Sequence, residues 1–320
     1  MRVVFVHGAC VRDGDWWWHA MVAPLAAAGV RSRAVALPSC LGDVGATPTS
    51  GVDACEGIQA ARGLQAARGF QATQGLRAAG GPQAARELQA ARELQAARGP
   101  QAAREPQAAR GPQGAQRADH AGAGIGVPAH SPGHGLGDLY DDVAAVRAVL
   151  DEDDEPTVLL GHSYGGMVIT EAGHAHPTVR QLVYVASMMP DVGESQAALA
   201  GDAPAPWLAP GTDGTIGVVP ASVRELFVQD CDGPTQDAAV DRLTRQSMTP
   251  FGQPVRAAAW REVPATYVVC TDDRAIPADV QRGRATRAGS VVDFAAGHHP
   301  FLSRPEQFAA LLLDVTSPAR

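Results

Sequence analysis

The sequence predicts an α/β fold: a mostly parallel sheet with helices on both faces, a small cap and a low-complexity insertion. Three observations predict it. Short apolar runs alternate with helical patterns at both ends of the chain, that rhythm breaks over 190–262, and a six-residue repeat fills 59–118. Alternating strands and helices demand crossover connections, and those place parallel strands between two helical layers.

The elements follow in order. Val3–Val6 reads as a strand, Trp16–Ala28 as a helix and Arg33–Leu37 as a strand. Leu139–Leu150 is a helix with Val143, Val146 and Leu150 spaced for one face. Val158–Leu160 is a strand, and Tyr164–Ala175 a helix stopped by Pro177. After the strand Leu182–Val185, residues 190–262 are irregular, with helical patches near Ser222–Phe227 and Asp237–Gln246, and read as the cap. The alternation then resumes with strand Thr266–Cys270, helix Ala278–Arg287, strand Val291–Phe294 and helix Pro305–Asp314.

The repeat begins Gln59-Ala-Ala-Arg-Gly-Leu64 and recurs through Gln107–Pro112. A six-residue step advances about 600° around a helix, so successive Leu or Pro positions point about 240° apart and build no apolar stripe. Pro82, Pro100, Pro106 and Pro112 interrupt any long helix. The segment 45–135 therefore reads as a disordered insertion, with brief helix near Gln83–Arg98, in a domain made of 1–44 and 136–320. Residues 57–118 carry nine Arg and three Glu, a net +6 in a chain of net charge −8. A basic tether for an acidic partner fits that charge; a neutral repeat expansion in a tolerant surface loop is the simpler reading.

The basic residues number 26 and all are arginine. The acidic balance argues against nucleic acid as a partner. No apolar run approaches the roughly 20 residues that span a membrane, and Met1-Arg2-Val3-Val4-Phe5-Val6 is already a strand rather than a targeting segment. The cysteines at 10, 40, 55, 231 and 270 are odd in number and lack metal-ligand spacing, which fits reduced thiols and a cytoplasmic location. Oligomeric state is not legible.

Chemistry enters at Gly161-His162-Ser163-Tyr164-Gly165-Gly166, between the strand 158–160 and a helix. Strand, sharp turn with a serine at its apex, helix: this context turns a common pentapeptide into a nucleophile elbow. Side chains at 161 and 165 would collide with neighbouring backbone, and the helix start favours an oxyanion. A nucleophilic serine needs a base, an orienting acid and oxyanion donors. His298, in the loop after the last strand, stands where the base belongs; His299 is the competitor, lining the pocket or facing solvent. The preceding strand ends in Asp272-Asp273, of which one can orient His298 and the other caps a turn; Asp191 is a third candidate. One oxyanion N–H belongs to Tyr164, the residue after the nucleophile. The other falls to Ala9, in the loop His7-Gly8-Ala9-Cys10, where Gly8 lets the backbone approach closely. The Tyr164 side chain either lines the pocket or packs, Trp16–Trp18 read as packing residues of which one could edge the pocket, and Cys10 as a small buried hydrophobe.

Together these stretches resemble the α/β-hydrolase superfamily. More narrowly they resemble the branch holding plant methyl esterases of the salicylate-binding type, plant hydroxynitrile lyases and small bacterial esterases. The likeness rests on Phe5–Cys10, Gly161–Met167, Tyr267–Pro277 with Gln281, and Gly297-His298 leading to Pro305. In that branch the catalytic aspartate lies eight residues before a glutamine, which selects Asp273 by its relation to Gln281; the histidine lies seven before the proline of the last helix, which selects His298. The resemblance implies a Ser163–His298–Asp273 triad, N–H donors at Ala9 and Tyr164, no cofactor or metal, and a small ester substrate. The cap, including Trp207, Phe227 and Phe251, would form much of a pocket that Gly8 and His299 edge. The lyases carry a threonine and a lysine where this chain has Gly8 and His299, which argues against cyanohydrin cleavage. A small-molecule receptor on the same scaffold and a cofactor-free non-hydrolytic enzyme are the alternatives. The repeats sit in a loop at a strand's carboxyl end, on the side where such folds bind ligands.

Overall fold

A computed structural model describes residues 1–40, 135–200 and 205–316. The repeat array and its reading as disordered lie outside the described residues.

The central sheet has six parallel strands in the order β2-β1-β3-β4-β8-β9. They are β1 (Arg2–Val6), β2 (Arg31–Val35), β3 (Thr157–His162), β4 (Val179–Val185), β8 (Ala265–Cys270) and β9 (Ser290–Phe294). The inner strands are apolar on both faces because both faces are covered. Val4, Val6, Leu159, Tyr267 and Val269 enter one core, while Val3, Phe5, Val158, Leu160 and Val268 enter the other. This is the two-residue period of a strand feeding two layers.

Helices α1 (Gly14–Ala27) and α6 (Pro305–Thr316) join the second core, where Trp18 stacks on Phe5 at 4.4 Å. The three tryptophans therefore split. Trp17 and Trp18 are buried, and Trp16 is half-buried under Arg242, 4.4 Å from its ring. On the other face, α2 (Leu139–Leu150) and α3 (Gly165–Ala172) pack together. The start of α2 is fixed by a capping box in which Asp138 accepts from the Tyr140 and Asp141 N–H groups and Asp141 accepts from the Asp138 N–H. α5 (Ala278–Ala285) connects β8 to β9.

Between β4 and β8 the sequence predicts helical patches; helix is present at both places with shifted bounds, and strands occur that the sequence did not predict. This region contains a three-stranded antiparallel sheet, β5 (Leu208–Pro210), β6 (Thr215–Val218) and β7 (Gln246–Ser247). The patch at 222–227 is a π turn over Val223–Phe227, closed by Val228 N–H to the Val223 carbonyl. α4 covers Gly233–Asp241 and stops short of Gln246, which lies in β7. Among the described residues no helix is long and apolar enough to cross a membrane.

The chain runs from β1 outward to β2 and then returns to β3 on the other side of β1. Strand order thus reverses between β1 and β3, and the crevice at the carboxyl ends of such strands is where open α/β sheets bind ligands.

Candidate active site

Four loops at carboxyl ends meet beside this crevice. Ser163 follows β3 in the left-handed region, φ 53°, a conformation costly for a residue with a Cβ. The elbow is held there by its carbonyl, which accepts from the Gly166 and Met188 N–H groups and from Ser187 Oγ at 2.7 Å. Ser163 is half-exposed while its neighbours His162 and Tyr164 are buried. A Cβ on Gly161 would come within 2.7 Å of the Gly165 carbonyl oxygen, and one on Gly165 would meet the Val6 carbonyl. Both glycines are therefore required by close backbone approach.

His298 and Asp273 form a buried pair, with His298 Nδ1 2.7 Å from Asp273 Oδ2. A carboxylate oxygen accepts, so Nδ1 carries the proton and Nε2 keeps its lone pair. Asp273 Oδ1 also accepts from the Ala275 and Ile276 N–H groups, and Oδ2 from Gln281 Nε2 at 3.0 Å. One aspartate thus both shapes its turn and holds the histidine. The neighbouring Asp272 is exposed, and Asp191 is ion-paired to Arg261.

Gly8 packs against the elbow: a Cβ there would come within 3.1 Å of Ser163 Cβ and 3.2 Å of His162 Nδ1. Ala9 beside it is half-exposed. Among the described residues neither the Ala9 nor the Tyr164 N–H donates to a protein acceptor. The Tyr164 side chain is buried, and its hydroxyl donates to Asp142 Oδ2 at 2.6 Å. Cys10 is buried with φ 59°, and burial pushes its thiol up to about 12.

Residues 227–230 of the intervening region brace the His298 loop. The Phe227 ring meets His298 edge-on at 5.2 Å, with Trp207 behind it at 5.9 Å. The Phe227 carbonyl accepts from His299 Nδ1, Gln229 Nε2 donates to the Asp272 carbonyl, and Asp230 Oδ2 accepts from the Gly297 N–H. His299 is buried, its ring 5.1 Å from Trp17 and 4.6 Å from His162. Phe251 lies 5.6 Å from the Tyr164 ring. Among the described residues no group of His, Cys, Asp and Glu has metal-binding geometry.

Three further imidazoles surround the site, and their acceptors fix their tautomers. His7 Nδ1 and His299 Nδ1 donate to the Gly8 and Phe227 carbonyls, and His162 Nε2 donates to the His298 carbonyl. Burial lowers His7 from 6.5 to about 4; burial and then the nearby His298 lower His299 to about 3. The unfolded chain takes up these protons near pH 6.5 and the fold does not. Stability is therefore full above pH 6.5 and falls as pH drops toward 4, by on the order of 3 kcal/mol for each ring. Urea unfolding from pH 7 to 4 should show this decline, with a shallower slope in His299→Leu. An unchanged slope would remove His299 from the acid response.

Sequence reading missed Asp142, Ser39, Gln246 and His162 as parts of this site. Asp142 did leave a signal, a carboxylate inside the apolar stripe Leu139, Val143, Val146.

The fold is that of an α/β hydrolase, and the pattern of the alpha/beta hydrolase family matches residues 3–311, so the chain belongs to that family. It is similar to an alpha/beta hydrolase of Aspergillus novofumigatus, 31% identical over 196 residues, covering 56% of this chain and 78% of the relative. Methylesterase 7 of Arabidopsis thaliana is 25% identical over 218 residues, covering 62% and 83%. The crystal structure of a pyrethroid hydrolase from Sphingobium faniae superposes with a TM-score of 0.61 at 20% identity, covering 98% and 96%, a likeness of fold.

Proposed function

We propose that this chain is a carboxylic-ester hydrolase acting through an acyl-enzyme on Ser163. One observation carries the reading: a half-exposed serine held at φ 53° on a strand-to-helix turn, in the same crevice as a buried histidine–aspartate pair 2.7 Å apart.

Ser163 Oγ attacks the ester carbonyl while His298 Nε2 takes its proton. Asp273 keeps the proton on Nδ1 and stabilises the imidazolium that forms. The oxyanion accepts from the Ala9 and Tyr164 N–H groups, each worth about 10²-fold or more in rate. His298 returns the proton to the departing alcohol; water, deprotonated by the same nitrogen, then attacks the acyl carbon, and the proton passes to Ser163 Oγ as the bond to the acid breaks. No step uses a cofactor. The aromatic surface of Trp207, Phe227 and Phe251 supports a small, fairly apolar ester. The relative named as a methylesterase lends support.

A fluorophosphonate should inactivate turnover of p-nitrophenyl butyrate in step with a single adduct, located by peptide mass on Ser163. An adduct elsewhere, or turnover that persists in fully labelled protein, overturns the reading. Mandelonitrile in the same panel should not be cleaved.

A further inference from the structure

Asp142 interrupts the apolar stripe of α2 and has no exposed surface. Burying a carboxylate is costly, and a hydrophobic side chain would serve helix packing better. Burial raises this carboxyl from 3.8 to about 6, even though it accepts three hydrogen bonds that favour its charge. Those bonds form part of a longer chain. Asp142 Oδ1 accepts from the Ser39 N–H at 2.8 Å; Oδ2 accepts from Ser39 Oγ and from the Tyr164 hydroxyl, both at 2.6 Å. Ser39 Oγ accepts from Gln246 Nε2 at 2.9 Å, and Gln246 Oε1 accepts from the Cys10 N–H at 2.9 Å. Each donor points toward Asp142, so the chain has one polarity and no competing orientation.

Its two ends explain its position. Tyr164 directly follows Ser163. Cys10 directly follows Ala9 and is held at φ 59° with its N–H on Gln246 and its carbonyl accepting from the Thr244 N–H. We propose that Asp142, through Tyr164 on one side and Ser39, Gln246 and Cys10 on the other, is a positioning residue that fixes the separation of the two oxyanion donors. The proposal rests on the ester-hydrolase reading. Because Gln246 belongs to β7, the strut also ties the region between β4 and β8 to the oxyanion loop.

The test compares Tyr164→Phe, which loses only a hydroxyl, with Asp142→Asn and the double variant. Three quantities are measured: KM for p-nitrophenyl butyrate, kcat, and inhibition by an alkyl trifluoromethyl ketone, which forms an oxyanion on serine. Each single variant should lower kcat and weaken the ketone by about tenfold, with KM within about twofold, because donor spacing matters only once the oxyanion forms. The double variant should be little worse than either single one, as expected for one connected strut. Equal changes in KM and ketone inhibition in variants that melt like the parent would indicate packing alone and overturn the proposal. So would unchanged kcat. If the parent protein labels at Ser163 and the variants behave like it, the strut falls and the hydrolase reading stands; if the parent does not label, both fall.

Discussion

Replacing Asp273 with asparagine is expected to lower kcat for ester hydrolysis by about 10⁴-fold with little change in KM. The reason is the direction of hydrogen bonds. Asp273 Oδ1 accepts from two backbone N–H groups, while Oδ2 accepts from Gln281 Nε2 and faces His298 Nδ1. In Asp273→Asn the backbone N–H groups keep the amide oxygen at the Oδ1 position. The amide NH2 then takes the Oδ2 position, where it can only donate. His298 Nδ1 must now accept, so the ring proton moves to Nε2, and that nitrogen can no longer take the Ser163 proton. Gln281 Nε2 is left facing another donor, a buried mismatch that should cost about 1–3 kcal/mol of stability. Steady-state kinetics corrected for the labelled fraction will measure the first effect, and urea unfolding the second. A loss in kcat under tenfold would mean that Asp273 does not set the tautomer.

That aspartate shows how far the sequence speaks. Two adjacent carboxylates at the end of β8 were legible as candidates, because a strand followed by acidic residues before a helix is a local pattern. Which of them turns inward depends on the turn after β8, which closes around Asp273 through the Ala275 and Ile276 N–H groups. The resemblance selected Asp273; its burial and the exposure of Asp272 give the physical reason. The six strands of the main sheet were likewise legible, because short apolar runs flanked by helical spacing mark most of them, and β2, with Arg31 and Arg33 exposed, runs into the apolar Ala34 and Val35. Their ends moved by one to three residues, as for β4, which begins at Val179 rather than Leu182.

The region between β4 and β8 was least legible, and Gln246 shows why. Its neighbours favour helix, but its side chain is committed to Cys10 and Ser39, 236 and 207 residues away in sequence. Partners so distant leave no periodic trace. The brace at residues 227–230 was hidden for the same reason, since Phe227, Gln229 and Asp230 meet loops that follow β8 and β9. Phe227 and Trp207 stood out as aromatics of this region, but their edge-on succession toward His298 was not legible. His162 was visible as the variable residue of the pentapeptide. Its bond to the His298 carbonyl ties the elbow to the loop after β9, a link only the fold creates.

The second large effect concerns a glycine outside the pentapeptide. Gly166→Ala is expected to cost about 4 kcal/mol or more and to leave little soluble protein. A Cβ at this position would land on the Met188 carbonyl oxygen and on Ser187 Oγ, with the Met188 carbonyl carbon at 3.0 Å. That segment cannot retreat. Met188 N–H and Ser187 Oγ both bond the Ser163 carbonyl, the Ser187 N–H donates to the Tyr267 hydroxyl, and that hydroxyl donates to the Ser187 carbonyl. Any shift that admits the methyl group breaks bonds that hold the serine at its positive φ, so stability and the elbow fail together. Gly283→Ala provides the contrast. Gly283 lies in α5 with nothing within 4 Å of an added Cβ, so alanine should stabilise the protein by about 0.5–1 kcal/mol through helix propensity. Urea midpoints of the two variants should therefore move in opposite directions. A Gly166→Ala protein that unfolds within about 1 kcal/mol of its parent would show that the Ser187–Met188 segment yields, and that the elbow does not depend on its closeness.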